Sequence, residues 1–252
     1  MSADASNRDL NEISTFWPDV HGSHEPESPA GRREAQERLL KRYQGAIKRY
    51  MTAAVRDPEQ ADELFQKFAV RFVQGDFHRA DPMRGRFRDY LKSALFHLVD
   101  DHRRAARRFP GSLPPNAPEP CVDAPPSAED DARFLACWRA DLLARAWAAL
   151  DEHERRTARP LSSILRYFTQ HPEVRSAQVA AMYSARFGTE ISDGWVRRIL
   201  HQARRLLQDA VMHEVGRTLD APTLANIEEE LIDLGLHSYF AGALSRRRGE
   251  ES

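Results

Sequence analysis

Cysteine is nearly absent from this chain: of 252 residues, only Cys121 and Cys137 carry a thiol. Two thiols build no disulfide framework, so both are read as unpaired side chains of a reducing compartment. Long apolar runs are missing as well. No stretch approaches the roughly 20 apolar residues that span a bilayer, which argues against membrane insertion. Met1 to Pro18 has neither the basic start nor the apolar core of a signal peptide. These absences point to a cytoplasmic protein. Strand-type alternation and internal repeats are missing too, leaving helix spacing as the only regular signal. The 10 histidines are scattered, Asp100-Asp101-His102 has no second ligand cluster nearby, and no glycine-rich loop is present to cradle phosphate. The expectation is a protein that is not an enzyme and that uses no cofactor or metal.

What is present is charge, unevenly placed. The net charge is −1, so the whole chain has no bulk attraction for a polyanion. From Arg84 to Arg108, however, Arg84, Arg86, Arg88, Lys92, Arg103, Arg104, Arg107 and Arg108 face only Asp89, Asp100 and Asp101. The next stretch, Phe109 to Asp131, has no Lys or Arg and several acids. A basic block beside an acidic linker can draw nucleic acid locally, and it can equally be a solvated helix end.

The apolar spacing predicts an all-α protein of two small helical domains joined by a proline-rich linker. Residues 1–31 form a polar lead-in. The first domain covers 32–108, with stripes at Leu39, Tyr43, Ile47, Tyr50 and Met51, at Ala61, Leu64, Phe65, Phe68, Phe72 and Val73, and at Phe87, Leu91, Leu95 and Leu98. Asp57-Pro58 marks a helix start, with Asp57 as cap, Pro58 in the first turn and Gln60 as capping-box partner. Residues 109–131 form an extended linker. The second domain covers 132–218, opening with Phe134, Trp138, Leu142, Ala146 and Leu150. An extension over 219–252 carries one acidic amphipathic helix from Pro222 to Leu244, using Leu224, Ile227, Leu231 and Leu234, and its simplest role is to complete the fold.

Ser176 to Leu207 predicts a helix-turn-helix. Ser176 caps a helix with Val179, Met182 and Tyr183. Gly188 ends that helix, Ile191 plugs the turn, and Ser192 caps the next one. There Val196, Ile199, Leu200, Ala203, Leu207 and Ala210 share one face, while Gly194, Arg198, His201, Gln202 and Arg205 share the other, flanked by Trp195, Arg197 and Arg204. Such a helix can read base edges with Arg and Gln while neighbouring cations meet phosphates. An ordinary helical hairpin with a charged outer face has the same pattern. On the helix from Phe87 to Ala106, Phe96 projects away from the Leu98 face, beside Lys92, Arg103 and His97. An aromatic among cations suits stacking on an unpaired base, or packing against another helix. The helix over Glu59–Val73 presents Asp62, Glu63, Gln66, Lys67, Val70 and Arg71 outward, as solvated surface or as a docking face.

Taken together, these segments resemble the extracytoplasmic-function (ECF) sigma factors of RNA polymerase, in their long variants with a C-terminal extension. Arg42-Tyr43 and the run Asp57-Pro58-Glu59-Gln60-Ala61-Asp62-Glu63-Leu64-Phe65-Gln66-Lys67-Phe68 are similar to the opening of the family's region 2. Asp81-Pro82-Met83-Arg84-Gly85-Arg86-Phe87-Arg88-Asp89-Tyr90-Leu91 is similar to the motif of those variants. Val196, Leu200-His201 and Ala203-Arg204 are similar to region 4. The resemblance runs from about Phe16 to Leu244.

It implies a sigma factor that binds core RNA polymerase and directs it to promoter DNA, with an anti-sigma or other regulatory protein as a further partner. Asp62, Glu63, Gln66, Lys67 and Arg71 would dock the polymerase clamp. Arg84, Arg86, Arg88, Lys92, Phe96, His97, Arg103 and Arg104 would hold the melted −10 element. Trp195, Arg197, Arg198, His201, Gln202 and Arg205 would bind the −35 element. The sequence departs from the family at Lys67, where an acid is usual, and at Phe96, where an Arg is common. The stretch Arg159 to Val174 ahead of the helix-turn-helix is also unusually long. Two other functions fit the residues: a helix-turn-helix regulator that acts without polymerase, and a sigma-derived helical interaction protein with no DNA role.

Overall fold

The computed structural model describes residues 29–74, 87–108, 127–219 and 222–251. Every regular element among them is an α-helix, in agreement with the all-α class. Most of the lead-in, the turn with Arg84 and Arg86, and linker residues 109–126 lie outside the described residues. No helix among the described residues is long and apolar enough to cross a membrane. The chain forms two compact bodies.

The first body holds α1 (Pro29–Val55), α2 (Pro58–Gln74), α3 (Phe87–Arg108) and the start of α4 (Ala128–Thr157), as far as Asp141. Between α1 and α2 the chain turns at Arg56, which takes the left-handed φ of 60°. Asp57 then caps α2 as its position predicts. Its Oδ1 accepts the backbone N–H of Glu59 at 2.9 Å and of Gln60 at 3.2 Å. The Gln60 amide donates to Asp57 Oδ2 at 2.9 Å, so the capping partner meets the side chain of the cap. Leu39, Tyr43, Ile47, Met51, Leu64, Phe68, Phe87, Leu91 and Leu95 are buried in this body. Each such side chain contributes about 1.5–3 kcal/mol by leaving water. Val73 is a correction: in the last turn of α2 it is 41% exposed.

The start of α4 is a second correction. Ser127 caps it by accepting Asp130 N–H at 3.1 Å, so the helix begins inside the expected linker. Its first turn holds Glu129, Asp130 and Asp131, acids that suit the positive end of a helix. Phe134 and Trp138 do not open a second domain; they complete the first body. Trp138 stacks on Tyr43 with ring centroids 5.2 Å apart, and Phe134 meets Tyr50 edge-on at 5.6 Å. Gly45 permits this approach of α4 to α1, because a Cβ there would lie 2.1 Å from Asp141 Oδ1.

The second body holds α4 from Leu142 onward, α5 (Leu161–Gln170), α6 (Ser176–Phe187), α7 (Asp193–Gly216), α8 (Leu224–Asp233) and α9 (His237–Glu251). Leu150, Leu161, Ile164, Val179, Val196, Ile199 and Ala203 share its core. Two acids of α4 hold the start of α5. Glu154 accepts Ser163 N–H at 2.9 Å, and Asp151 accepts the Ser162 hydroxyl and, at 2.8 Å, the Arg166 guanidinium. Burial alone would raise the Asp151 carboxyl. The hydrogen bonds from Ser162 and Arg166 and the charges of Arg166 and Arg155 outweigh it and hold the group below its usual range. A depressed carboxyl stabilises the fold above its unfolded pKa, near 3.9, and loses that contribution as pH falls through the folded value. Asp151→Asn is therefore expected to lower the urea midpoint at pH 7, and the gap from wild type should shrink toward pH 3. A gap that stays constant over that range would contradict the assignment.

The extension is two helices where the sequence predicts one. Gly235 breaks it at φ 66°, and Leu224, Ile227, Leu231 and Leu234 are buried as expected. The resulting hairpin is pinned to the C-terminal half of α7. The Gln208 amide donates to Tyr239 O at 2.9 Å, and Arg247 pairs with Asp209 at 3.0 Å.

Candidate nucleic-acid interface

α6, its turn and the first half of α7 build the helix-turn-helix. Arg175, in extended backbone, is the cap residue of α6, and the Gln178 side chain reaches back to accept its N–H at 2.9 Å. Ser176 is therefore the first helical residue and not the cap. Gly188 ends α6 in the left-handed conformation, φ 64° and ψ 20°, with its N–H on Ser184 O. Because a Cβ there would touch nothing within 4 Å, the position tests backbone strain alone. Gly188→Ala is expected to cost about 1 kcal/mol in urea unfolding; an unchanged midpoint would contradict the left-handed cap.

The turn hangs on Ser184, a residue that the spacing did not single out. Its hydroxyl donates to Ala180 O at 2.8 Å and accepts Ile191 N–H at 2.8 Å. Ile191 packs on the core as expected. Ser192 Oγ accepts Trp195 N–H at 3.1 Å and so starts α7.

From there α7 separates its faces. Val196, Ile199, Leu200 and Ala203 are buried, while Arg197, Arg198, His201, Arg204 and Arg205 are exposed. Arg197 is engaged by Asp193 at 2.9 Å, one turn back, which also offsets the acid at the helix start. Arg198, His201, Arg204 and Arg205 make no ion pair among the described residues. Gln202 is half-buried. Trp195 packs on the core, so its ring is only partly available to a ligand. Met182, expected on the packed side of α6, is 42% exposed, and Phe187 beside the turn is 58% exposed.

The expected −10 face of α3 is a different matter. Arg84 and Arg86 lie outside the described residues. Arg88 is buried beside Asp89, 5% exposed. Phe96, expected to project outward, is half-buried and meets Tyr50 edge-on at 5.6 Å and Phe134 at 6.4 Å. Lys92 pairs with Asp131 at 3.2 Å, Arg103 donates to Ala54 O at 3.1 Å at the end of α1, and Arg104 pairs with Asp100 at 2.6 Å. Burial and the Asp130 charge push the Tyr50 hydroxyl above its ordinary range. Among the described residues expected there, only His97 stands exposed. For Lys92 and Phe96 the reason is long-range: the first turns of α4 cover that side of α3.

On α2, Asp62, Glu63, Gln66, Lys67 and Arg71 are all exposed, and Val70 is 54% exposed between them. Asp62 is tied to Lys48 at 2.8 Å. The other four border a groove of about 660 Å³ between α2 and α3, floored by Leu64 and Leu98. Asp101 and His102 join its α3 wall. In the sequence they read only as metal ligands and counter-charge, not as part of a docking face, although Leu98, Asp101, His102 and Ala105 follow one another at helix spacing.

No group of three or more His, Cys, Asp or Glu side chains among the described residues is placed to hold a metal ion. Comparison with known proteins finds no matching family model, curated protein or solved structure.

Proposed function

We propose that the chain is a sigma factor of the ECF type, which binds core RNA polymerase and brings it to promoters. The exposed row Arg198, His201, Arg204 and Arg205 carries this proposal, because these side chains stand opposite a buried apolar row and no acid among the described residues holds them. In that role Arg198 and Arg205 address base edges of the −35 element, while Arg204 meets phosphate. Trp195 contributes mainly by fixing the angle of the helix.

The α2 face would meet polymerase. An apolar floor with charged walls is the chemistry of a partner helix laid into a groove. The α3 face would hold the opened −10 strand. No catalytic step, cofactor or metal enters this role.

Run-off transcription on genomic fragments tests the proposal, with purified core polymerase and the full chain present or omitted. New transcripts that depend on the chain are expected. Failure of the chain to associate with sigma-free polymerase of its own host, together with no new transcript, would remove it. Promoter binding by the chain alone without new transcripts would point to the polymerase-independent regulator instead.

A further inference from the structure

The proposed role asks α3 to take an unpaired DNA strand, and the structure shows that side of α3 occupied. Single-stranded sites pair a cation for the phosphate with an aromatic ring for the base. Here Lys92 is the cation and Phe96 the ring. Asp131 sits on Lys92 at 3.2 Å, and the Phe134 ring lies 6.4 Å from that of Phe96. An acid and an aromatic, one turn apart on α4, thus hold the places that a phosphate and a base would hold.

We propose that the first turns of α4 are an intramolecular lid over the α3 face, and that this face binds single-stranded DNA only when Phe134 and Asp131 withdraw. The inference rests on the proposed function for the role of α3. The two ends of the lid differ in strength. Lys92 and Asp131 are partly solvated, 25% and 42% exposed, so their pair is weak. Phe134 and Trp138 are each 1% exposed, so the aromatic end holds the lid shut. The open state is then a minor one that a partner must favour, since a ligand shifts an equilibrium only by its preference for one state.

The approach of α4 to α1 supplies the test. A Cβ on residue 45 would lie 3.1 Å from Asp141 Cγ, the place a cysteine sulfur would occupy. Gly45→Cys with Asp141→Cys, in a chain with Cys121→Ser and Cys137→Ser, therefore suits a disulfide. Neither position 45 nor 141 is on the α3 face. Anisotropy of a fluorescent single-stranded oligonucleotide is read with the full chain, oxidised and reduced. At least tenfold tighter binding by the reduced chain is expected. Equal affinity in both states, or no binding in either, would overturn the lid.

A second variant needs no cross-link. Asp131→Lys places a cation beside Lys92 and should tighten oligonucleotide binding several-fold more than Glu59→Lys, which changes the charge equally on α2. Equal effects of the two would also overturn the lid. Run-off transcription with the cross-linked chain separates this inference from the proposed function. Equal transcripts from both states would remove the lid and keep the sigma role. Oligonucleotide binding confined to the reduced state, with no transcript from either, would keep the lid and remove the sigma role.

Discussion

Replacing Arg198 by alanine is expected to weaken −35 binding by about 1–3 kcal/mol, a loss of roughly 5- to 150-fold. The size follows from its place. Arg198 is exposed on the outward face of α7 in its second turn, with Ile199 and Leu200 fixing the helix behind it. No acid among the described residues engages it, so in the proposed role its guanidinium would meet DNA without first breaking an internal pair. Arg197 differs, being held by Asp193, and Arg197→Ala is expected to cost less. The check is footprinting of the reconstituted polymerase on the native −35 sequence and on a scrambled one. Discrimination should fall in the variant. If affinity for both sequences falls equally, Arg198 touches only phosphate; if neither changes, the proposed orientation of α7 is wrong.

The second large effect is expected on α2. Val70→Asp should weaken association with core polymerase by about 2 kcal/mol, close to 30-fold, which is the size reached when a charge is driven into the centre of an apolar contact. Val70 is 54% exposed in the wall of the α2–α3 groove, so the substitution opens no cavity. Surface changes of this kind usually move stability by less than about 0.5 kcal/mol. Thermal unfolding of the variant should therefore match wild type while co-purification with polymerase is lost. Undiminished co-purification would take the groove out of the interface.

How much of this was legible in the sequence depended on the range of each interaction. The Asp57 cap, the Gly188 stop and the Ser192 cap are local chemistry within four residues, and the Ile191 plug reaches seven residues back to Ser184; all four stand where the spacing puts them. The burial of Val196, Ile199, Leu200 and Ala203 followed from periodicity alone. Phe96 did not, because its neighbour Phe134 is 38 positions away in the chain and a helical wheel sees only one helix. The body boundary inside α4 was hidden for a related reason. Phe134, Trp138, Leu142, Ala146 and Leu150 form one uninterrupted stripe, and nothing in the pattern marks where its packing partners change. The break at Gly235 was passed over although Leu236 and Leu244 fall out of phase with Leu224, Leu231 and Leu234 across it. The margins of apolar faces misled as well: Val73, in the last turn of α2, and Met182, midway along α6, keep the spacing of buried residues yet are 41% and 42% exposed.

The 24 residues of α7 run without interruption from the exposed Arg197–Arg205 face to the α8–α9 hairpin, a rigid rod about 36 Å long. Arg198 rides near one tip, and Gln208 and Asp209 are gripped beyond the midpoint. Such a rod would behave as a lever. In the proposed role, a partner that seized the hairpin would turn the far tip without touching it, so a remote handle would come built into the same piece of secondary structure.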